Sequence, residues 1–473
     1  MQSKTDLEKE LTALTKCLQQ YKLSFEGISC ITGPTYNLYK IIPKPGDKVS
    51  KFKNLQEDFS VSLGTAVRVI TLSDSIGIEI PHNKEARDII KYIDLNILES
   101  DNSNLPVILG STIYGETVCE DLTNMSHLLL AGATKQGKTN SIRSIIAGLI
   151  QRIPAQEVKF ALFDTKGYEL QECSSLFSRD YLVIEPKYSS KEGEENHCIS
   201  TTVEEASSKL SALCMELESR YETLSKHKLR NIETYQREYK AYKITGGSPY
   251  MPYIVVIIDE VADLVLNHKL GKEILSKIVR IAAKGRCVGI HMIISTQRPS
   301  FDVISGIIKA NFPSRLAFRT SSRVDSITIL DCPGAEKLTG NGDALYSAGY
   351  DLCRVQTPLL GNKDFKQIIE SKPKGTGVPY YLPFVDNELL VPDVESSKNK
   401  IDADPMIEDA AKVVILLQKA STSLLQQRLG LGFARASRIM DQLEELGIVG
   451  RQDGRKPREI LVSNISELKK IKL

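Results

Sequence analysis

Residues 126 to 150 read SHLLLAGATKQGKTNSIRSIIAGLI and contain the pattern that decides the fold. Within this stretch, residues 132 to 139 (GATKQGKT) fit the motif G-x-x-x-x-G-K-[ST]. An apolar run, Leu128 to Leu130, precedes the motif, and apolar residues at helical spacing follow it. The pattern predicts a strand, a glycine-rich turn and a helix, which is the arrangement of a phosphate-binding loop. A chance match on a flexible loop is the alternative, which the flanking strand and helix disfavour.

The predicted turn suits a chain of phosphates. Glycine has no Cβ, so Gly132 and Gly137 allow a tight backbone in which successive N–H groups converge on an anion. The following helix adds the partial positive charge of its first turn. Lys138 can then reach the β- and γ-phosphates of ATP, and the Thr139 hydroxyl can hold Mg²⁺. The residues expected to contact the nucleotide are Gly132, Ala133, Thr134, Lys135, Gln136, Gly137, Lys138, Thr139 and Asn140.

Composition restricts the class of protein. The 473 residues carry 61 Lys and Arg against 59 Asp and Glu, so any contact with nucleic acid must come from local basic patches. The nine cysteines form no C-x-x-C pair, and the six histidines are scattered, so reduced thiols are expected rather than disulfides or a zinc site. No apolar run approaches the roughly 18 residues of a membrane span, and the polar start MQSKTDLEKE is not a signal peptide. These features predict a cytoplasmic protein without a membrane span.

Changes of pattern along the chain predict four segments. Residues 1–105 combine a helical stripe of leucines with alternating strands in a small α+β domain, for which packing or assembly is the expected role. Residues 106–372 alternate apolar strands with longer helices, the pattern of an α/β domain whose parallel sheet is covered on both faces. Residues 373–404 contain Pro, Gly and Ser and are typical of a linker. Residues 405–473 have the helices and basic segment of a winged helix-turn-helix.

A pair of acidic residues follows another strand of the α/β domain. Ile254 to Ile258 are consecutive apolar residues, and Asp259 and Glu260 come directly after them, at the carboxyl end where ligands of open sheets bind. Together with the phosphate loop, this placement predicts that Asp259 holds Mg²⁺ and that Glu260 polarises the water that attacks the γ-phosphate. A helix N-cap with acidic first-turn residues is the alternative explanation for Asp259.

Two further side chains are candidates for roles in the reaction. Gln297 follows the apolar strand 290–295 and is placed to sense the γ-phosphate, although a glutamine in a proline-terminated turn would give the same sequence. Arg286 lies in the short basic run Lys284-Gly285-Arg286. It either reaches the nucleotide of a neighbouring subunit or is simply solvated, and the residues alone leave both alternatives open.

Several longer runs carry a resemblance to a known protein family. They read IDEVADL (258–264), ILDCPGAEKLTGNGDALY (329–346) and AAKGRCVGIHMIISTQRPSFDVISGIIKANFPSRLAFRTSSRVDS (282–326). With GATKQGKT, they resemble the motor domain of the FtsK/SpoIIIE family of bacterial double-stranded DNA translocases. ITGPTYNLYK (31–40) and IGIEIPHNK (76–84) are similar to the family's α domain, and KASTSLLQQRLGLGFARASRIMDQLEELGIVG (419–450) to its winged-helix γ domain. The resemblance covers nearly the whole chain.

The resemblance implies a RecA-like P-loop motor that assembles as a homo-hexamer around double-stranded DNA, with ATP at the subunit interfaces. It also implies the family's Walker roles for Lys138, Thr139, Asp259 and Glu260. Members commonly carry an N-terminal membrane anchor, which the printed sequence lacks. The chain is therefore expected to be either a tetherless relative or part of a longer protein.

The resemblance bears on three more positions of the motor. Arg286 falls where the family has its trans-acting arginine finger, and Arg323 falls where the family has a basic residue that faces the neighbouring subunit. The family usually has Arg directly after the DS of its DSRTILD run, whereas this chain has Ile327. The contact made by that arginine is therefore either missing here or supplied elsewhere.

The C-terminal segment carries charges that fit DNA. Arginine and lysine side chains can bind phosphates or read guanine in the major groove, although a winged helix used only for protein contacts is the alternative. Members of the family often have Asn where this chain has Ala434, which puts the same target sequence in doubt but not DNA binding. The residues expected to contact DNA are Arg428, Arg435, Ser437, Arg438, Arg455 and Lys456, and Arg451 and Arg458 add to the charge of the wing.

The sequence therefore predicts an ATP-driven translocase of double-stranded DNA that uses Mg²⁺ and acts in chromosome or plasmid segregation during cell division. The winged helix is expected to set its direction, and a site-specific recombinase or division protein is an expected partner. Two alternatives are a ring ATPase of a conjugative or protein secretion system and a DNA-binding organiser whose P-loop is only a switch. Glu260 and Gln297 argue against the organiser, and the winged helix argues against the secretion pump.

Overall fold

The computed structural model of the protein describes residues 4–83, 87–95, 103–185, 198–244, 247–349, 351–375, 380–383, 406–417, 419–429, 433–450 and 458–462. The chain divides into two compact units, residues 1–385 and residues 386–473. Within the described ranges, no helix combines the length and the apolar character that a membrane crossing needs.

The N-terminal part of the first unit is a small α+β layer. Its elements are α1 (Lys4–Gln20), β1 (Phe25–Thr32), β2 (Tyr36–Pro43), α2 (Val49–Asn54), α3 (Gln56–Leu63), β3 (Arg68–Thr71) and β4 (Ile76–Pro81). The strands pair antiparallel in the order β1-β2-β4-β3. Apolar side chains of the sheet, such as Ile78, share a buried core with Leu14 and Leu18 of α1 and Phe59 of α3. Leu14 and Leu18 of the leucine stripe at the start of the chain thus lie on the face that α1 buries, whereas Leu11 is 38% exposed.

A ten-stranded sheet forms the centre of the same unit. The remaining strands are β5 (Pro106–Ser111), β6 (Thr117–Asp121), β7 (His127–Ala131), β8 (Val158–Phe163), β9 (Val183–Ile184), β10 (Ile199–Ser200), β11 (Tyr253–Ile258), β12 (Ile290–Thr296), β13 (Ser314–Phe318), β14 (Asp343–Ser347), β15 (Leu352–Gln356) and β16 (Tyr380–Tyr381). All except β9 and β16 join the large sheet, in the order β10-β8-β11-β12-β7-β13-β14-β15-β5-β6. The neighbours from β10 to β13 run parallel, and the neighbours from β13 to β6 run antiparallel.

Helices cover the sheet. They are α4 (Leu122–Met125), α5 (Lys138–Arg152), α6 (Val203–Lys226), α7 (Ile232–Lys240), α8 (Val261–Val265), α9 (Gly271–Lys284), α10 (Gly306–Asn311), α11 (Arg323–Leu330) and α12 (Asn362–Glu370). Every residue of β7, β8, β11 and β12 is buried, as expected for parallel strands that are covered on both faces. The predicted α/β class is confirmed. The antiparallel part of the sheet differs from the expected parallel pattern because few residues separate β5 from β6 and β14 from β15, and connections that short allow only antiparallel pairing.

Part of the predicted linker packs on the first unit. β16 pairs with β9, and the Tyr380 hydroxyl lies 2.5 Å from the Glu216 carboxylate and 3.0 Å from the Arg220 guanidinium, both on α6. Of residues 373–404, the ranges 376–379 and 384–404 lie outside the described residues.

The C-terminal unit contains α13 (Ile407–Leu417), α14 (Thr422–Leu429) and α15 (Phe433–Glu445). Two antiparallel bridges follow, between Ala420 and Arg458 and between Val449 and Ile460. Apolar side chains of all three helices form one buried core, which includes Val414, Leu425 and Ile439. This order of three helices and a returning strand is that of a winged helix, although residues 451–457 lie outside the described part of the chain.

Candidate functional site

The phosphate loop lies at the carboxyl edge of the sheet, between β7 and α5. Gly132 (φ 150°) and Gly137 (φ 121°) have backbone conformations that favour glycine. A Cβ on Gly132 would lie 2.8 Å from Phe318 Cβ, and a Cβ on Gly137 would lie 3.0 Å from Gly342 Cα. Both positions therefore exclude larger residues, as the tight turn of a phosphate cradle requires.

Lys138 folds back over this cradle. Its Nζ donates hydrogen bonds to the carbonyl oxygens of Gly132 and Ala133, the latter at 2.8 Å. Burial lowers the pKa of Lys138 to about 8, whereas the nearby carboxylates of Glu260 and Asp259 act to raise it. A phosphate oxygen is a stronger partner for an ammonium group than a carbonyl oxygen. The lysine is thus held ready beside the loop and can exchange its carbonyl partners for phosphate.

The next two residues of α5 differ in what they can offer a nucleotide. Thr139 lies in the first turn and is partly exposed. The Asn140 side chain is already engaged, because its Nδ2 donates to the carbonyl oxygen of Pro358 and its Oδ1 accepts from the Leu360 N–H at 2.9 Å. Asn140 therefore attaches the phosphate loop to the chain that follows β15.

The acidic pair lies at the carboxyl end of β11, as predicted. Asp259 is 3% exposed, its Oδ2 has no hydrogen-bond partner among the described residues, and burial raises the pKa of this carboxyl to about 7. A buried carboxylate oxygen that makes no hydrogen bond, and whose charged neighbour Lys166 Nζ lies 4.0 Å away, fits a hard cation such as Mg²⁺. The described residues contain no group of three His, Cys, Asp or Glu side chains that could hold a metal alone. The ion would therefore also need ligands from the nucleotide.

Glu260 is held in one orientation. The Thr296 hydroxyl donates to its Oε1 at 2.6 Å, and the Gln297 backbone N–H donates to its Oε2 at 2.9 Å. The Gln297 side chain in turn accepts a hydrogen bond from the Thr134 hydroxyl of the phosphate loop, at 2.9 Å. Each oxygen of the carboxylate keeps a further lone pair that can accept a proton from water. The structure thus joins Glu260, Gln297 and the phosphate loop in one network.

The structure adds two residues to which the sequence analysis gave no role. Lys166 Nζ lies 4.0 Å from Asp259 and 3.7 Å from Glu260, and it comes from the end of β8, the strand next to β11. Thr296 ends β12, on the other side of β11. Both residues belong to polar runs that directly follow apolar strands, which is the signal that could have identified them.

Arg286 lies far from its own phosphate loop. It is exposed in a short 3₁₀ turn, Gly285–Val288, that precedes β12, whereas the loop lies beyond the opposite end of that strand. Seven strand residues span about 23 Å, more than an arginine side chain can cover. Two hydrogen bonds from α6 hold this turn in place. The Tyr221 hydroxyl donates to the Lys284 carbonyl, and Arg220 donates to the Val288 carbonyl.

Arg323 begins α11 and is exposed. It follows β13, the other neighbour of β7, and therefore lies at the same edge of the sheet as the phosphate loop. The pKa of Glu57 in α3 is lowered chiefly by Lys337 and to a smaller extent by Arg323, so Arg323 also lies near the N-terminal layer. Ile327, at the position where an arginine was expected, is exposed on α11.

The structure describes only part of the predicted DNA surface. Arg428 on α14 and Arg435 on α15 are exposed, and Ser437 on α15 is half-buried. Arg438 lies on α15, but its side chain is outside the described part. Arg451, Arg455 and Lys456 also lie outside the described residues.

Arg458 differs from the expectation that it adds to the charge facing DNA. Its guanidinium pairs with Asp441 at 2.6 Å and with Glu444 at 2.7 Å, and it donates to the Met440 carbonyl. All three partners lie on α15. Arg458 therefore attaches the returning strand to α15. The strand returns beside this helix, so the acidic side chains Asp441 and Glu444 neutralise the guanidinium.

Comparison with known proteins gives matches along most of the chain. The FtsK alpha domain matches residues 1–82, the FtsK/SpoIIIE family matches residues 91–301, and the Ftsk gamma domain matches residues 401–463. A solved structure of the pCW3 conjugation coupling protein TcpA, a monomer form with ATPγS, has a TM-score of 0.52 at 20% identity. The similarity covers 77% of this chain and 100% of that one and shows a shared fold.

Two relatives are similar over nearly the whole chain. The DNA translocase FtsK of Chlorobaculum tepidum is 38% identical over 474 residues, which cover 96% of this chain and 56% of the relative. The DNA translocase SpoIIIE of Bacillus subtilis is 34% identical over 469 residues, which cover 97% of this chain and 56% of the relative. The chain thus spans about half the length of the curated relatives it matches. With all three domain models matched in order, the chain belongs to the FtsK/SpoIIIE family.

Proposed function

We propose that this chain is the motor of an ATP-driven translocase of double-stranded DNA. The observation that carries the proposal is the buried Asp259–Glu260 pair, one oxygen of which makes no hydrogen bond among the described residues, beside a loop whose lysine is held over a phosphate cradle. Asp259 and Thr139 are the residues that would hold Mg²⁺. When bound, the ion neutralises charge on the β- and γ-phosphates.

The chain's own groups account for hydrolysis of ATP. Lys138 leaves its two carbonyl partners and binds phosphate oxygens. Glu260, held by Thr296 and by the Gln297 N–H, orients a water molecule and accepts its proton as the water oxygen attacks the γ-phosphorus. The bond to the β-phosphate oxygen breaks, and ADP leaves with that electron pair. Gln297, bonded to Thr134, is placed to respond to the loss of the γ-phosphate.

A homo-hexamer is part of the proposal. Arg286 is exposed at the sheet edge opposite its own phosphate loop, so the nucleotide it can reach belongs to a neighbouring subunit. In that position its guanidinium would stabilise the charge that develops on the transferring phosphoryl group. Arg323, exposed at the start of α11, is the second basic side chain proposed to face a neighbour.

The C-terminal unit is proposed to select the DNA. Exposed arginines on α14 and α15 suit phosphate contacts, and α15 is the helix that a winged helix places in the major groove. Segregation of a chromosome or plasmid in the cytoplasm during division is the process in which such a motor would act. A site-specific recombinase or a division protein would be its partner there.

Displacement of a triplex-forming strand from duplex DNA tests the proposal. The full chain should remove the third strand only when ATP is present, and the Glu260→Gln variant should bind the same DNA without removing it. Intact DNA binding with no displacement by the unchanged chain would favour a DNA-binding organiser. Turnover of ATP that DNA does not stimulate would favour a pump for another substrate.

A further inference from the structure

A cavity of about 310 Å³ opens at the edge of the large sheet opposite the phosphate loop. It lies between the end of α5 with the turn 153–156, residues 179–181 before β9, and the segment 372–375 after α12. α5 begins at the phosphate loop and ends at Arg152, and its 15 residues span about 22 Å. The cavity is therefore separate from the nucleotide site.

Four of the five charged side chains that line this cavity are basic. The basic ones are Arg152, Arg179, Lys372 and Lys374, and the acidic one is Asp180. In the part of the chain that the structure describes, none of the four basic side chains forms an ion pair. The lining thus carries a formal excess of three positive charges. Because like charges this close repel one another, an anion bound between them would be stabilised.

Each of the two arginines buries a nitrogen that makes no hydrogen bond. Arg152 Nη2 and Arg179 Nε are shielded from solvent and have no acceptor among the described residues. Buried polar groups are nearly always paired in folded proteins. The planar guanidinium group matches the geometry of phosphate oxygens and binds them more strongly than neutral acceptors. The two nitrogens therefore lack the kind of acceptor that a phosphate group would supply.

The end of α5 accounts for only part of this positive charge. Cations stabilise the C-terminus of a helix, and Lys372 does so directly, because its Nζ donates to the Gln151 carbonyl oxygen at 3.2 Å. Within the described ranges, Arg179 and Lys374 make no comparable contact with the helix. Their position in the cavity is thus explained by a ligand rather than by the helix.

The segment 372–375 is held in place without a ligand. The Gly375 N–H donates to the Ser178 carbonyl oxygen at 2.9 Å, and a Cβ on Gly375 would lie 2.2 Å from Asp180 Cγ. The Asp180 carbonyl oxygen in turn accepts a hydrogen bond from the buried Lys159 side chain of β8. Both sides of the cavity are therefore formed in advance, which reduces the cost of ordering them around an anion.

The depth of the cavity favours a small anion over a nucleic acid. Arg152, Arg179 and Lys372 are half-buried, whereas Lys374 is exposed at the opening. A DNA duplex is too broad to enter, so its phosphates would meet Lys374 but not the buried guanidinium nitrogens. A single phosphate group carries about −1.5 to −2 charges near pH 7. Two linked phosphate groups are therefore needed to balance the excess charge of the lining.

We infer that this basic cavity binds a diphosphate group, with Arg152 and Arg179 contacting its inner oxygens and with Lys372 and Lys374 at the opening. Free pyrophosphate and the phosphates of a nucleotide share this chemistry. The bound anion would connect the end of α5 to the segment 372–375. The inference does not rest on the proposed function, because the cavity lies at the opposite end of α5 from the phosphate loop.

Titration with pyrophosphate at constant ionic strength and without Mg²⁺ tests the inference. The full chain with Lys138→Ala is used, so that the phosphate loop does not contribute, and we expect it to bind one pyrophosphate per chain. Adding Arg179→Gln should weaken this affinity by about tenfold or more, because charge-assisted hydrogen bonds are lost. Adding Arg237→Gln instead, at an exposed arginine outside the cavity lining, is the matched control and should leave the affinity unchanged.

Thermal unfolding gives a second measurement. Without ligand, Arg179→Gln should leave the melting temperature of the Lys138→Ala chain unchanged or raise it, because it removes an unpaired charge from a cluster of like charges. Pyrophosphate should raise the melting temperature of the Lys138→Ala chain but not that of the double variant. If Arg179→Gln does not fold, Lys374→Gln decides, and as the loss of an exposed charge it should weaken pyrophosphate binding by about threefold.

Competitors distinguish the sources of the diphosphate. Displacement of pyrophosphate by ADP would support the inference and assign the cavity to the phosphates of a nucleotide, and no displacement by ADP would support it with free pyrophosphate as the ligand. Absence of pyrophosphate binding by the Lys138→Ala chain, or the same affinity with Arg179→Gln, would overturn the inference. Duplex binding that Arg179→Gln weakens, without any binding of pyrophosphate, would also overturn it and assign these side chains to DNA.

Discussion

The carboxyl edge of the large sheet and the C-terminal unit both carry charges, but they hold them differently. Lys138, Asp259 and Glu260 are each at most 4% exposed and are positioned by backbone and side-chain contacts. Arg428 and Arg435 of the C-terminal unit are exposed. Burial of charge costs several kcal/mol unless partners compensate, so an incompletely paired buried carboxylate marks a place for chemistry. An exposed arginine costs little and can exchange water for a DNA phosphate.

This difference predicts two kinds of mutational effect. Changes at the buried edge should act on ATP turnover, whereas changes on the exposed arginines should act on DNA affinity and its dependence on salt. Arg286 is exposed, as Arg428 and Arg435 are, and yet it is proposed to act in hydrolysis, so it tests this comparison.

Arg286→Ala should therefore reduce ATP turnover although Arg286 is exposed. We expect DNA-stimulated ATP turnover to fall by about 10³-fold or more, because an arginine finger contributes on that scale. Arg237→Ala, which removes an exposed arginine of α7, is the control and should have almost no effect.

Mixtures of two variants test whether Arg286 acts between subunits, as proposed. A mixture of Arg286→Ala and Lys138→Ala chains should regain turnover, because some interfaces then combine an intact Lys138 with an intact Arg286. Mixtures as inactive as the separate variants would contradict action between subunits.

Glu260→Gln tests whether the buried carboxylate acts as the base in hydrolysis. The amide keeps the size of the side chain but cannot accept the proton of the attacking water, so we expect turnover to fall by roughly 10²- to 10⁴-fold. ATP binding should persist. Single-turnover hydrolysis on duplex DNA is the measurement, with Glu273→Gln, an exposed glutamate of α9, as the control. A Glu260→Gln rate close to that of the unchanged chain would exclude Glu260 as the base.

Three buried histidines among the described residues, His82, His127 and His291, have pKa values lowered by burial and give the first unit a pH dependence. Burial lowers the pKa of His127 to about 3 and that of His291 to about 4, with Arg286 acting in the same direction on both. Asp121 acts to raise the His291 pKa, and Arg220 acts to lower it. The neutral rings are therefore favoured in the folded state, and their stabilisation is complete above the unfolded pKa of about 6.5 and is lost as the pH falls below it. Between pH 7 and pH 5, His127 and His291 should each lower the free energy of unfolding by roughly 2 kcal/mol, a factor of about 30, whereas Asp259, whose raised pKa of about 7 acts in the opposite sense, should raise it.

Residues 386–473 contain no histidine, so the C-terminal unit should lack this dependence. Thermal unfolding of the full chain at several pH values tests both statements. His291→Gln should make the pH dependence of the first unit less steep. An unchanged slope in that variant would show that other groups control the pH dependence.

The smallest effects belong to the exposed arginines of the C-terminal unit. Arg428→Ala should weaken duplex binding about tenfold and reduce the slope of log affinity against log salt by about one, with thermal stability unchanged. Arg458→Ala should lower thermal stability and leave duplex affinity nearly unchanged. It removes the ion pairs with Asp441 and Glu444 that attach the returning strand to α15. The comparison fails for this unit if Arg428→Ala unfolds it or if Arg458→Ala leaves its stability unchanged.

The parts of the site that the sequence predicts are local in the chain. The phosphate loop and the acidic pair each follow an apolar strand directly, so spacing alone predicts their place at the sheet edge. Their partners depend on strand order, which local patterns do not contain. Lys166 approaches Glu260 because β8 lies beside β11, and Thr296 does so because β12 lies on the other side.

Long-range contacts also explain the other places where the structure differs from the sequence-based predictions. Thr35 and Gln356 line one cavity of about 510 Å³ beside the phosphate loop although more than three hundred residues separate them, so motifs could not predict that they lie close together. Arg458 belongs to a basic run that predicts DNA contact, but the return of the strand brings it against acidic residues of α15. A pattern of charge predicts a surface only where tertiary contacts leave that charge exposed.

The dependence of ATP consumption on duplex length tests the central claim most directly. A motor that travels along DNA uses more ATP per binding event on a longer linear duplex, whereas a stationary ATPase uses the same amount on every length. With the base-pair concentration held constant, we expect turnover per bound chain to rise with duplex length in the unchanged protein and to be abolished in Lys138→Ala. Turnover that is the same on short and long duplexes would contradict translocation.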